Sequence, residues 1–258
     1  MKTVTVTGID DNTDLNHAVA LAKAYPFVEY GILVSSATLT HSIVERYPRL
    51  RQVHKIVETF NENKVNYSIH LCGRFTRAFM NDTNFGELRK IPTENANRIQ
   101  INYSAKNDNF ASKYNHDLAR ELALNDFLFR MLELQRYGDV QHKFILQYNN
   151  SNRQFIDEFL EIASKYSFSK KMIMILRDSS GGRGRVQNNY NPLGYRETLG
   201  YSCGFSGGIS PENIKEVIPR VKNNYDWIDM ENGVRTGNWF DLRKVEEVLI
   251  EAKKYING

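Results

Sequence analysis

Short runs of β-branched and apolar residues alternate with segments of helical period along the whole chain, eight times over. Val4 to Thr7, Val28 to Val34, Val65 to Cys72, Arg98 to Tyr103, Lys143 to Tyr148, Met172 to Leu176, Tyr201 to Phe205 and Asp226 to Met230 read as strands. Between them apolar residues recur every three or four positions, as in Leu50, Val53, Val57 and Phe60, or Leu124, Phe127, Leu128 and Met131. Strands separated by helices pair in parallel through crossovers. Eight such units are the number that closes a (β/α)8 TIM barrel; an open doubly wound sheet is the rival arrangement. The length, 258 residues, is close to the roughly 250 of such a barrel. No Pro/Gly/Ser-rich linker divides the chain, so one domain over residues 1–258 is expected.

Composition narrows the function classes. The two cysteines, Cys72 and Cys203, are far apart and form no C-x-x-C pair. A disulfide framework and a thiolate zinc site are therefore not expected, and a reducing compartment, the cytoplasm, is. The six histidines are scattered without a ligand-spaced pair, so no metal site is expected, and no motif calls for a cofactor. The N-terminus lacks the apolar run of a signal peptide, and no apolar run approaches the roughly 18 residues that span a bilayer. The net charge of +4 suits an anionic small ligand. Without a Lys/Arg block, nucleic acid is not an expected partner. The exposed helix faces show no apolar stripe that would name a protein partner.

Two glycine-rich segments carry the strongest chemical signal. In Gly204-Phe-Ser-Gly-Gly-Ile-Ser-Pro-Glu-Asn213 a strand ends in paired glycines, with Ser210 placed to cap a helix and Pro211 at its first position. In Asp229-Met-Glu-Asn-Gly-Val-Arg-Thr-Gly237 the last strand turns through Asn232-Gly233. Glycines let backbone N–H groups approach an oxyanion closely, and in barrels the loops after strands seven and eight together hold phosphate. Gly207, Gly208, Ser210, Asn232 and Gly233 are thus candidate phosphate ligands, and a phosphorylated small molecule is the expected partner.

The order Gly207-Gly-Ile-Ser-Pro-Glu-Asn213, then Asp229-x-x-x-Gly-Val-x-x-Gly237, resembles the C-terminal part of the phosphoribosylanthranilate isomerase family of tryptophan biosynthesis. Ile175-Leu-Arg-Asp-Ser-Ser-Gly-Gly-Arg-Gly184 is similar to that family's Leu-Leu-Asp-Ser followed by Gly-Gly-x-Gly. Val4-Thr-Val-Thr-Gly-Ile9 resembles its opening strand, Val-Lys-Ile-Cys-Gly-Ile. Residues from about 35 to 170 share only the strand and helix rhythm. The resemblance implies a barrel that opens a ribose ring and performs an Amadori rearrangement, with a general acid at Asp178. It also places the family's base, a cysteine, at Thr7, whose hydroxyl is a poor base near neutral pH. A changed barrel that binds a phosphorylated metabolite or nucleotide is the alternative.

Position along the strands and loops singles out further residues. His70 and Cys72 alternate on the third strand and share a face; His70 is either the base that Thr7 cannot be or a hydrogen-bonded interior histidine. Asp229 is either a site carboxylate or a satisfied acceptor. Gln100, Asn102, Gln147 and Asn149 suit a ligand with hydroxyls or a base edge, and equally internal hydrogen bonding. Arg183 and Arg185, in the glycine-rich loop after strand six, are the arginines expected to bind substrate. Tyr190 and Tyr195 of the same loop are candidates for a lid. Lys143 and Lys171 fall at strand starts, the wrong end of a barrel for a Schiff base.

Overall fold

The computed structural model describes residues 1–81, 85–135, 142–166, 168–178, 190 and 200–256. Eight parallel strands close into a barrel in sequence order: β1 (Thr3–Thr7), β2 (Val28–Val34), β3 (Tyr67–Leu71), β4 (Arg98–Ile101), β5 (Lys143–Tyr148), β6 (Ile173–Arg177), β7 (Ser202–Ser206) and β8 (Trp227–Met230). Closure is made by β8 against β1, with Thr3 opposite Trp227 and Thr5 opposite Asp229. The barrel, not the open sheet, is the architecture, and each expected strand is present.

The helices lie around the barrel and bury the faces that the sequence marks. Val53, Ile56, Val57 and Phe60 of the helix Leu50–Asn63 are fully or nearly fully buried. Under the helices Asp117–Gln135 and Arg153–Ala163, Phe127 packs on Phe159 with ring centroids 4.9 Å apart and on Phe79 edge to face at 5.7 Å. Asp14 and Asp241 cap the first and last of these helices, accepting from Asn16 and Arg243 backbone N–H groups. No described helix is long and apolar enough to cross a membrane.

Three local expectations change. Residues 74–97, irregular by composition, contain the helix Arg74–Asn81, which buries Phe75, Ala78 and Phe79. The helix after β7 begins at Ile214, not Pro211: Asn213 accepts from the Ser210 N–H (2.9 Å) and donates to the Gly208 carbonyl (2.7 Å), holding 210–213 as a preceding turn. An apolar stripe does exist on the outer face of the helix Asp117–Gln135, where Leu118, Leu122 and Phe129 are exposed and fall within about 40° of one another at 100° per residue.

Alternate strand residues point into the barrel, and its interior is divided. Ile145, Met174, Leu176 and Trp227 form an apolar cluster separate from the core under the helices. Facing it is a polar half. Arg98 donates to both oxygens of Glu29 (2.6–3.1 Å) and to the Thr5 hydroxyl (2.7 Å). Its guanidinium lies 4.7 Å from the Trp227 ring centroid, which joins the halves. Ser68 Oγ and His70 Nε2 are 3.0 Å apart. A buried ion pair needs this degree of hydrogen bonding to offset its desolvation.

Candidate functional site

A cavity of about 350 Å³ opens at the carboxyl ends of the strands, the face on which barrel sites are built. Its lining comes from every strand end: Thr7, Leu33, His70, Gln100, Gln147, Asp178, Ser206 and Asp229 among others.

On one side sit the glycine loops. Gly207 and Gly208 have φ of 112° and 67°, the left-handed region that glycine enters without strain. Gly233 lies so close to the loop after β7 that a Cβ there would be 2.0 Å from the Ile209 carbonyl oxygen and 2.8 Å from Ser210 Cα. The two loops thus form one wall, with Gly207, Gly208, Asn232 and Gly233 facing the cavity. Ser210 is not part of that lining: its N–H goes to Asn213, and its side chain bonds the exposed Glu212 carboxyl, holding it below the usual range.

At the floor, Thr7 Oγ1 donates to Asp229 Oδ1 at 2.7 Å. Burial pushes the Asp229 carboxyl up to about 7, against the Thr7 hydrogen bond and the charge of Arg98, which favour the ionised form. Gly31 makes room for this pair, since a Cβ there would meet Thr7 Oγ1 at 2.3 Å and His70 Cε1 at 3.1 Å. Burial, with Arg98 nearby, holds His70 down to about 3. Its ring is neutral at neutral pH and a weak base, fixed by Ser68. Burial likewise pushes the Cys72 thiol up to about 12, so it stays protonated, with Asn102 Nδ2 donating to its sulfur at 3.1 Å. Asp178 is buried at the end of β6, its backbone N–H bonded to the Tyr148 carbonyl.

The loop after β2 supplies two residues that sequence reasoning missed, Arg46 and Tyr47. Arg46 is ion-paired with Glu231 at the rim. Like Arg183 and Arg185, Arg46 follows a strand, but no glycine-rich motif marks its loop. Those two residues, and Tyr195, lie outside the described residues. Tyr190 is within them, with its ring 5.6 Å from Phe205 and under the Arg220 guanidinium. That contact is with the helical layer rather than the cavity. Asp10 and Asp11 organise the loop after β1: Asp10 is buried and accepts from Asn12 and Phe240 N–H groups, and Asp11 pairs with Arg49. Among the described residues no group of three His, Cys, Asp or Glu side chains is placed to hold a metal ion.

Fold and cavity together define a (β/α)8 barrel with a polar pocket at the mouth and paired glycine loops on one side. The same fold is found in phosphoribosylanthranilate isomerase from Pyrococcus furiosus, 15% identical, with 98% of this chain and 100% of that one covered and a TM-score of 0.52. It is found in the Thermus thermophilus enzyme of that name, 12% identical, with 98% of each chain covered and a TM-score of 0.53. A truncated 3-deoxy-D-arabino-heptulosonate 7-phosphate synthase from Thermotoga maritima is also similar, at 12% identity over 98% of this chain and 85% of that one, TM-score 0.54. No protein-family model and no curated protein matches the chain. At these identities the likeness is one of fold, and it extends to enzymes of two different names.

Proposed function

We propose that this barrel isomerises a phosphorylated ribosylamine, an aldose-to-ketose Amadori rearrangement, with Asp178 as general acid and Asp229 as general base. The observation that carries the reading is the Thr7–Asp229 hydrogen bond. At the position where the resemblance implies a cysteine base, the chain has a hydroxyl that cannot serve, but that hydroxyl holds a carboxyl raised to about 7. A base with this pKa is half ionised at neutral pH, close to the optimum for proton transfer.

In this reading Gly207, Gly208, Asn232 and Gly233 hold the phosphate through backbone groups. Asp178 gives its proton to the ring oxygen as the C1–O bond breaks, and the amine lone pair forms the C1=N bond. Asp229 then takes the C2 proton. The C2–H electron pair becomes a C1=C2 bond, and the C1=N pair returns to nitrogen. The resulting enol becomes the ketone as C1 gains a proton and the C2 hydroxyl loses one, so no outside oxidant or reductant is required. Thr7 orients Asp229, and Arg183 and Arg185 remain candidate substrate ligands.

The test is conversion of ribosylamine 5-phosphates, made from ribose 5-phosphate and each of two aromatic amines, anthranilate and its neutral analogue 2-aminobenzamide, followed by the change in amine fluorescence. Turnover that is lost in Asp178→Asn supports the reading. Absence of turnover beside calorimetric binding of ribose 5-phosphate overturns the isomerase and leaves a barrel that only binds a phosphorylated ligand.

A further inference from the structure

The wall opposite the glycine loops is made of carboxamides. Gln100 and Asn102 on the β4 side and Gln147 and Asn149 on the β5 side all line the cavity. Part of this wall is satisfied internally: Gln100 donates to Asn102 at 2.8 Å, Asn102 donates to Cys72, and the Asn149 oxygen accepts from the Ser151 and Asn152 N–H groups. Part is not. Gln100 is 2% exposed, and its amide oxygen has no hydrogen-bond partner. Gln147 is half-buried, and its side chain makes no hydrogen bond to a described residue. A buried carboxamide oxygen can be satisfied only by a donor, and a carboxamide with both ends open presents one acceptor beside two donors.

Charge points the same way. Among the described lining residues the carboxylates are Asp178, Asp229 and Glu231, and the cation is Arg46, which Glu231 already neutralises. His70, beside Gln100 in strand register, is neutral. A ligand carboxylate facing the Gln100 oxygen would set acceptor against acceptor, with no unpaired described cation to hold it.

We infer that the part of the substrate remote from its phosphate is a neutral group bearing N–H donors, a carboxamide or its cyclic equivalent, and not a carboxylate. This rests on the reading of the cavity as the substrate site, and it parts from the carboxylate-bearing amine of the enzymes whose fold the chain shares. Gln147 and Gln100 are the residues that set the preference.

The experiment is calorimetric binding to the full chain of two amines of equal shape, 2-aminobenzamide and anthranilate, each alone and condensed with ribose 5-phosphate. Ribose 5-phosphate by itself is a further probe. The amide conjugate is expected to bind at least about tenfold more tightly than the acid, and Gln147→Met to erase the difference while ribose 5-phosphate still binds. Equal binding, tighter binding of the acid, or binding of neither amine form overturns the inference. Preference for free 2-aminobenzamide in a protein that ignores ribose 5-phosphate upholds it and instead overturns the phosphate reading.

Discussion

Thr7, at the end of the first strand, donates a hydrogen bond from its hydroxyl to Asp229 Oδ1, on the last strand, at 2.7 Å. The two residues are 222 positions apart in the chain, and only closure of β8 on β1 brings them together. The bond favours the ionised carboxylate, while burial opposes it.

Removing that bond, in Thr7→Val, raises the Asp229 pKa further above 7. The carboxyl resonance of Asp229, followed by NMR titration, is expected near 7 in the parent chain and higher in the variant. The rising limb of kcat/KM against pH moves in the same direction. A titration in the ordinary carboxylate range would contradict the assignment.

The same shift links stability to pH. The folded pKa of Asp229, about 7, lies above its ordinary value of 3.8. Between these values the folded chain holds a proton that the unfolded chain releases. The contribution is complete below about pH 4, declines as pH rises, and is gone above about 7. Urea unfolding of the parent chain and Asp229→Asn across that window isolates it: the variant gains on the parent as pH rises.

Gly31→Ala places a methyl group against Thr7 and the His70 ring. Overpacking of this kind costs about 1–3 kcal/mol, measured by urea unfolding. Displaced Thr7 releases Asp229, so the variant shows the same upward titration shift as Thr7→Val.

Gly233→Ala acts on the other wall. Its methyl would collide with the Ile209 carbonyl and push the two glycine loops apart. Binding of ribose 5-phosphate is expected to fall by at least about tenfold, the equivalent of about 1.4 kcal/mol, with far-ultraviolet circular dichroism unchanged.

The Arg98–Glu29 pair, 7% and 4% exposed, tests the polar half of the barrel. Arg98→Leu alone strands a buried carboxylate and is expected to cost about 3–5 kcal/mol. Adding Glu29→Leu recovers much of that loss. A double-mutant cycle in urea reads the coupling directly.

The strands were legible where β-branched and apolar runs are unbroken: β2 and β5 match their expected bounds residue for residue. The helix Arg74–Asn81 was hidden because polar residues surround its buried positions, although Phe75, Ala78 and Phe79 carry the helical spacing. The glycine loops were legible because local backbone demands leave local marks. The Thr7–Asp229 pair, the split barrel interior and the turn held by Asn213 were not, since each depends on register or on a side chain folding back. The carboxamides at the ends of β4 and β5 were visible as a set, but the sequence could not say which of their atoms the fold leaves unpaired.

The central claim is that Asp229 removes the C2 proton of a phosphorylated ribosylamine. The most direct measurement is loss of that proton in deuterium oxide, followed by proton NMR for the parent chain and Asp229→Asn. The C2 signal is expected to disappear with formation of the ketose in the parent, and to persist in the variant. A parent chain that binds ribose 5-phosphate yet leaves the C2 proton in place, or a variant that removes it as fast as the parent, would contradict the account.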